Sequence, residues 1–234
     1  LSALTTITGS LEKAVQASSK VLSVQGQVIP ATGIDVMLWA ELENGEKIFG
    51  ESLIGKAKKP ISRIGCLPEN PSALPAALDA IREADLIVLG PGSLFTSLLP
   101  NLLVPEIVEA LLRSEAPKIY ISNLMTQPGE TDGLDVYQHI KSIEKQLLNF
   151  GVNTRIFNAI LSQIEFEESS VIDYYRSRGA EPVICDKRKL ISEGYYVLQA
   201  PLYARRITPT LRHDSRRLSR AVMFLYRKIK KVNQ

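Results

Sequence analysis

From Ser72 onward, short apolar runs alternate with longer amphipathic segments, and this alternation constrains the fold more than any other feature of the chain. "SALPAALDAIREA" reads as a helix and "DLIVLG" as a buried strand; "NLLVPEIVEALLRSEA" and "PKIYISNL" repeat the pair. "LDVYQHIKSIEKQLLNFG" is a helix closed by Gly151, "TRIFNAI" a strand, "EFEESSVIDYYRSRG" a helix closed by Gly179, and "EPVICD" a strand. Strands apolar along their whole length, each followed by a helix, belong to a parallel sheet covered on both faces. The expected fold is therefore an α/β three-layer sandwich with a mainly parallel sheet, whose strands include 85–89, 117–122 and 181–185.

Residues 27–67 break the pattern. "DVMLWAELENGEKIFGESLIG" places two strand-like runs around Asn44-Gly45, a dipeptide that tolerates the two positive φ angles of a tight hairpin turn, and "KKPISRIGCLP" adds a further strand. This segment is expected to be an antiparallel β-rich subdomain with a small hairpin insertion. Before it, Ser10 offers the cap for a helix running to about Gln25. After the α/β region, Tyr195–Thr208 reads as one or two short strands. Asp214 caps a last helix whose Leu218, Val222, Leu225 and Ile229 share a face.

The 234 residues, 45% hydrophobic and 23% charged, suffice for one large domain or two small ones. No apolar run has the length of a membrane span, and Leu1 opens a polar segment without the basic flank of a secretory signal. Cys66 and Cys185 are far apart and outside any Cys/His cluster, so both are expected to be buried thiols in a reducing cytoplasm. The net charge of +3 conceals an asymmetry. Residues 205–234 hold ten Lys/Arg and one acid, Asp214, whereas the rest of the chain holds 18 basic and 24 acidic residues. The basic tail fits a solvated helix face, a phosphate-bearing ligand or a nucleic-acid surface. It lacks aromatic interleaving and any recognised motif, which weighs against nucleic acid.

Two loops stand at the carboxyl ends of the expected strands, where open α/β sheets bind ligands. In "GPGSLFTS", Gly90, Pro91 and Gly92 let backbone approach a ligand, the helix that follows offers free N–H groups to an anion, and Ser93, Thr96 and Ser97 add hydroxyls. No Lys follows the glycines, so this is not a P-loop. "SNLMTQPGETDG" concentrates Asn123, Thr126, Gln127, Glu130, Thr131 and Asp132 in one strand-to-helix turn, which suits a polar ligand. Both loops also admit a purely structural reading as capped turns. Glu130, Asp132 and Asp135 are candidates to hold a divalent cation beside phosphates, although their spacing matches no standard loop. His139 falls mid-helix and reads as a packed or surface histidine. His213, between Arg212 and Asp214, reads as a capping or hydrogen-bonding residue. No nucleophile–base pair and no metal cluster emerges.

"ADLIVLGPGSLFTSLLPNLLVPEIVEALLRSEAPKIYISNLMTQPGETDG" resembles the central segment of the YvcK/CofD-like family. "LSALTTITGSLEKAVQASSKVLSVQGQVIP" resembles the segment before it, and "LRHDSRRLSRAV" the C-terminal "RHD" segment. "LGPGSLFTS" and "NLMTQPGET" are written as in the bacterial gluconeogenesis-factor branch. The sister branch, 2-phospho-L-lactate transferase, has a different turn at the first loop. Family members begin with a strand and a "GGGTG"-type loop followed by "DDGG"; neither is found between Leu1 and Gln234. The resemblance thus makes 1–234 one α/β domain lacking its N-terminal nucleotide-binding strand and loop.

The resemblance implies a Rossmann-like fold and a nucleotide or nucleotide-sugar ligand. It implies a regulatory role in carbon metabolism and in cell-wall and cell-shape control, with no securely assigned reaction. The alternative it implies is an enzyme that moves a phosphorylated three-carbon acid onto an acceptor, with Mg²⁺ and a carboxylate from the "DDGG" region. The ligand-binding set it implies is Gly90, Pro91, Gly92, Ser93, Thr96, Ser97, Asn123, Met125, Thr126, Gln127, Glu130, Thr131 and Arg212, the last on phosphate. The expected partners are a nucleotide sugar or another phosphorylated small molecule and a second copy in a homodimer, in the cytoplasm.

Overall fold

The computed structural model describes residues 6–10, 13–15, 17, 26–57, 59–167, 170–203 and 210–232. Four short strands, β4 (Ile87–Leu89), β5 (Lys118–Ile121), β6 (Ala159–Gln163) and β7 (Tyr196–Ala200), form an all-parallel sheet in that order. The registers Leu89↔Tyr120, Tyr120↔Ile160 and Ile160↔Val197 align their carboxyl ends. Every residue of β5 and β6 is buried, as continuous apolar runs demand of strands covered on both faces.

Alternate residues of these strands enter two different cores. Tyr120, Ile160 and Val197 pack with Val136, Ile140, Ile143 and Leu147 of helix α4 (Val136–Leu148). Ile119, Ile121, Ala159 and Leu161 pack with Ile172 of α5 (Ser170–Arg176) and with Ala221, Leu225 and Ile229 of α7 (Ser215–Val232). The sheet therefore has helices on both faces, the three layers expected. Two shorter connecting helices, α2 (Pro75–Arg82) and α3 (Pro105–Arg113), pack on each other through Ala77, Val104 and Ile107. A six-residue helix, α6 (Lys187–Ser192), precedes β7. No single helix among the described residues is long and apolar enough to cross a membrane.

The β-rich segment is a three-stranded antiparallel sheet in the order β2 (Lys47–Phe49), β1 (Met37–Leu42), β3 (Ile61–Leu67), with a single helical turn, α1 (Glu51–Ile54), after β2. Its inner residues Ala40, Leu42, Ile64 and Cys66 join the same core as α4. The turn at Asn44-Gly45 differs from the two-residue form expected. Gly45 alone has a positive φ, +83°, and the Leu42 N–H reaches the Glu46 carbonyl at 2.9 Å. This is a three-residue loop with glycine in the left-handed position.

Several boundaries move. Residues 181–185 are not a strand of the sheet. Pro182 lacks an N–H, and the segment instead bridges Met125 in antiparallel fashion, with the Thr126 N–H on the Glu181 carbonyl at 2.7 Å and the Val183 N–H on the Leu124 carbonyl at 3.0 Å. The strand expected over 154–160 begins only at Ala159, because Asn158 first closes on Lys118: its N–H donates to the Lys118 carbonyl, and its Oδ1 accepts the Lys118 N–H, both at 2.8 Å. Of the strands expected between Tyr195 and Thr208, β7 is one; Tyr203 forms an isolated bridge to His213, and 204–209 lie outside the described residues. The helix from Ser10 also falls mostly outside them, but Ser10 does cap: its Oγ accepts the Lys13 N–H at 3.4 Å. Cys66 is buried as expected, whereas Cys185 is only half-buried.

Candidate functional site

Because β4 and β5 are parallel neighbours in register, the loops that follow them emerge side by side at one edge of the sheet. The Gly92 N–H donates to Asn123 Oδ1 at 3.2 Å, and Thr96 Oγ1 donates to Glu130 Oε1 at 3.0 Å, so each end of the first loop is tied to the second. Gly90 makes the approach possible. Its φ is +92°, and a Cβ there would lie 2.6 Å from the Ile121 carbonyl oxygen. Gly129, at φ +86°, lets the second loop press on the Ala57 backbone in the same way.

The first loop does not lead straight into an α-helix. Leu94–Leu98 forms a π-type turn in which the Leu98 N–H reaches back five residues to the Ser93 carbonyl at 2.9 Å, followed by a 3₁₀ turn at Leu99–Leu103. Leu94, Phe95, Leu98, Leu99, Leu102 and Leu103 are all buried. Such turns recur at functional sites.

The N–H groups at that turn were expected to meet a ligand anion, yet part of this capacity is met internally. The Phe95 N–H and the Thr96 hydroxyl both reach the carboxylate of Glu130. Glu130 is buried, and burial foremost, with Glu51 nearby, pushes its carboxyl above the ordinary 4.5, while the bonds from Thr96 and Phe95 oppose the shift. A carboxyl whose pKa is raised in the folded state stabilises the fold fully below its unfolded value and less as pH climbs through the folded one. The stability of wild type relative to Glu130→Gln should therefore fall as pH rises from about 4.5 toward neutrality. Urea denaturation of both proteins across that range measures it; a constant difference would show that Glu130 does not titrate abnormally.

The other acids have similar local duties. Asp132 Oδ2 accepts the Gly129 N–H at 2.6 Å, and Asp135 caps α4 in a reciprocal pair with Gln138. Among the described residues no three His, Cys, Asp or Glu side chains converge to hold a metal ion. Thr126 Oγ1 accepts the Glu181 N–H at 2.8 Å, Thr131 Oγ1 accepts the Gln127 N–H at 2.8 Å, and Met125 is buried in the second core. These three position the loop. The hydroxyls of Ser93 and Ser97 and the side-chain amide of Gln127 make no hydrogen bond among the described residues. Ser97 and Pro91 are exposed, and Ser93, Asn123 and Gln127 half-buried.

The C-terminal segment approaches the same edge. The Leu211 N–H donates to the Tyr175 hydroxyl at 3.0 Å, His213 bridges Tyr203, and the Asp214 carboxylate accepts the Arg217 N–H at 2.9 Å, capping α7. The Ser122 backbone hydrogen-bonds the His213 ring, directly beside Asn123; burial lowers the pKa of this histidine. Arg212, exposed between these anchored neighbours, pairs with no acid among the described residues. His139 is wholly buried, its Nδ1 2.7 Å from the Asp135 carbonyl, and burial lowers its pKa against the opposing pull of Asp135. The Ser122–His213 contact is the part of the site that the sequence did not disclose. The adjacency of His213 to a helix cap was its only signal.

The family described as 2-phospho-L-lactate transferase CofD matches residues 1–203. A protein of Nostoc sp. (strain PCC 7120) is 45% identical over 226 residues, covering 97% of this chain and 49% of its own length. The proteins named "Gluconeogenesis factor" from Halalkalibacterium halodurans and Bacillus subtilis (strain 168) are 42% and 40% identical, over 95% and 94% of this chain and 67% of each of theirs. The crystal structure of a UPF0052-family protein from Bacillus halodurans superposes with a TM-score of 0.86 at 41% identity, covering 94% of this chain and 70% of that one. The chain thus spans about half the length of the Nostoc relative and about two thirds of the other two. With its two conjoined loops and these relatives, the chain belongs to the CofD family, on the side of the gluconeogenesis factors.

Proposed function

We propose that this chain carries part of a nucleotide-sugar site and serves as a cytoplasmic regulatory protein of the gluconeogenesis-factor type, acting on carbon metabolism and on cell wall and cell shape. The observation that carries the reading is the pairing of the Gly90–Ser97 and Ser122–Gly133 loops at the carboxyl edge of adjacent parallel strands, with uncommitted hydroxyl and amide groups on Ser93, Ser97 and Gln127. Arg212 supplies the cation that these loops lack. The names of the two relatives support the metabolic role. Self-association as a homodimer belongs to the same reading; the outer face of the antiparallel sheet, where Met37, Phe49 and Leu67 are exposed, supports it.

The match to a transferase family over residues 1–203 favours a second reading, transfer of a phosphorylated three-carbon acid to an acceptor. Under it the residues described above bind and orient phosphate. One experiment separates the two. The full-length protein is titrated calorimetrically with a uridine-diphosphate sugar and, separately, incubated with a phosphoenolpyruvate-type donor, acceptor and Mg²⁺ while product is followed. Saturable binding without turnover is the expected result. Turnover would replace the first reading by the second, and neither binding nor turnover would remove both.

A further inference from the structure

Helix α7 has 18 residues, roughly 27 Å of length at 1.5 Å per residue, and among the described residues its apolar packing lies along one side. Leu218, Ala221, Val222, Leu225 and Ile229 pack along the sheet. The opposite arc presents Arg216, Arg220, Met223, Phe224, Arg227 and Lys231, all exposed, with Met223 at 44% and Phe224 at 45%. The helix carries seven Lys/Arg and no acid. Lys230 has Asp85 at 4.0 Å, and Arg217 donates to the Tyr203 carbonyl at 2.7 Å. Arg216, Arg220, Arg227 and Lys231 have no carboxylate partner among the described residues. Outside residues 205–234 the chain has more acids than bases, 24 against 18, so the cationic arc is a local feature that orients the whole molecule in a field.

We propose that the outer side of α7 docks on an anionic phospholipid surface. Three observations favour a bilayer over nucleic acid. The helix lies flat on its domain along its length, so its outer side matches a plane and does not protrude as a groove-reading helix must. The exposed Met223–Phe224 pair sits within the cationic arc, where the boundary between headgroups and acyl chains accepts apolar side chains and a sugar–phosphate backbone does not. Lys228 Nζ lies 5.7 Å over the Phe224 ring, so a base stacking on that face would have to displace it. Cations held against such a surface each strengthen attachment about fivefold. The N-terminal end of α7 follows His213, which meets the Ser122 backbone at the root of the second loop.

The test is co-sedimentation of the full chain with vesicles of phosphatidylcholine containing roughly 30% phosphatidylserine, and with phosphatidylcholine alone, at about 0.1 M and about 0.5 M salt. Expected are partition onto the anionic vesicles only, its loss at the higher salt, and a drop of at least about a hundredfold in the variant Arg220→Glu/Arg227→Glu/Lys231→Glu. Phe224→Ser should weaken partition several-fold with the salt dependence unchanged, which separates the apolar contribution without altering charge. Equal partition onto both vesicle types, no partition onto the anionic ones, unchanged partition of the triple variant, or displacement of the protein from vesicles by an RNA or DNA oligonucleotide of matched charge would each overturn the proposal. Circular dichroism of the triple variant confirms that it is folded. Should it fail to fold, wild-type partition at the two salt concentrations and the Phe224→Ser variant decide.

Discussion

Replacing Gly90 with alanine should lower the melting temperature by about 6–20 °C. Two costs combine at this position. A left-handed φ such as the +92° of Gly90 costs a residue with a Cβ about 1–2 kcal/mol. The new Cβ would also stand 2.6 Å from the Ile121 carbonyl oxygen, a backbone atom at the end of a strand whose four residues are all buried. Neither β5 nor the loop can retreat without breaking the register with β4 or the Gly92–Asn123 bond. The sum, about 3–5 kcal/mol, lies at the upper end of what single substitutions do. For a chain of this size each kcal/mol moves the midpoint by roughly 2–4 °C.

Two further variants separate the causes. Gly45→Ala meets nothing within 4 Å but has a φ of +83°, so it reports the backbone cost alone, about 1–2 kcal/mol. Gly92→Ala places its Cβ 3.1 Å from the Leu98 Cδ2 atom, a side-chain end that can rotate away, and should cost under about 1 kcal/mol. Thermal denaturation followed by circular dichroism ranks the three. If Gly90→Ala melts within about 2 °C of Gly45→Ala, the close approach to Ile121 contributes nothing and the account of this turn is wrong.

The layers and the central strands were legible because burial on both faces forces unbroken apolar runs, and Ile119–Ile121 is such a run, whereas the equally apolar Ile87–Leu89 leaves Val88 exposed. The same signal misled at Val183–Cys185, which is as apolar as a strand but is held by the loop after β5 through Leu124 and Thr126. Nor is that run buried throughout, since Ile184 is 71% exposed: an apolar run alone reports neither burial nor which backbone supplies the hydrogen bonds. At the site, the sequence disclosed which loops meet, since neighbouring parallel strands must deliver their loops to the same edge. It did not disclose how their polar groups divide. Thr126, Glu130 and Thr131 belong to the architecture of the loops, while Ser93, Ser97 and Gln127 remain uncommitted. That division depends on contacts across 34 residues, such as Thr96 with Glu130, which no local pattern encodes.

Substituting Arg212 with alanine should weaken the binding of a uridine-diphosphate sugar to the full-length protein about ten- to a hundredfold. The paired loops offer hydroxyls and amides, and the N–H of Phe95 is already directed at Glu130, so a diphosphate meets no fixed positive charge from either loop. Arg212 stands between Leu211, fixed by the Tyr175 hydroxyl, and His213, fixed by the backbone of Ser122 at the root of the second loop. Its guanidinium has no acid partner among the described residues, so no ion pair must be broken before it meets a phosphate, and its planar fork suits paired phosphate oxygens. A charge-assisted hydrogen bond of this type contributes about 1.5–3 kcal/mol, which sets the size of the loss. The residue is exposed, so the variant should melt within about 2 °C of wild type, and calorimetric titration then reads affinity alone. Arg212→Lys discriminates further: a lysine restores charge without the fork and should recover only part of the affinity. Equal affinities of wild type and Arg212→Ala would remove Arg212 from the site, and the uncommitted groups of Ser93, Ser97 and Gln127 would then have to hold the ligand without a cation from this segment.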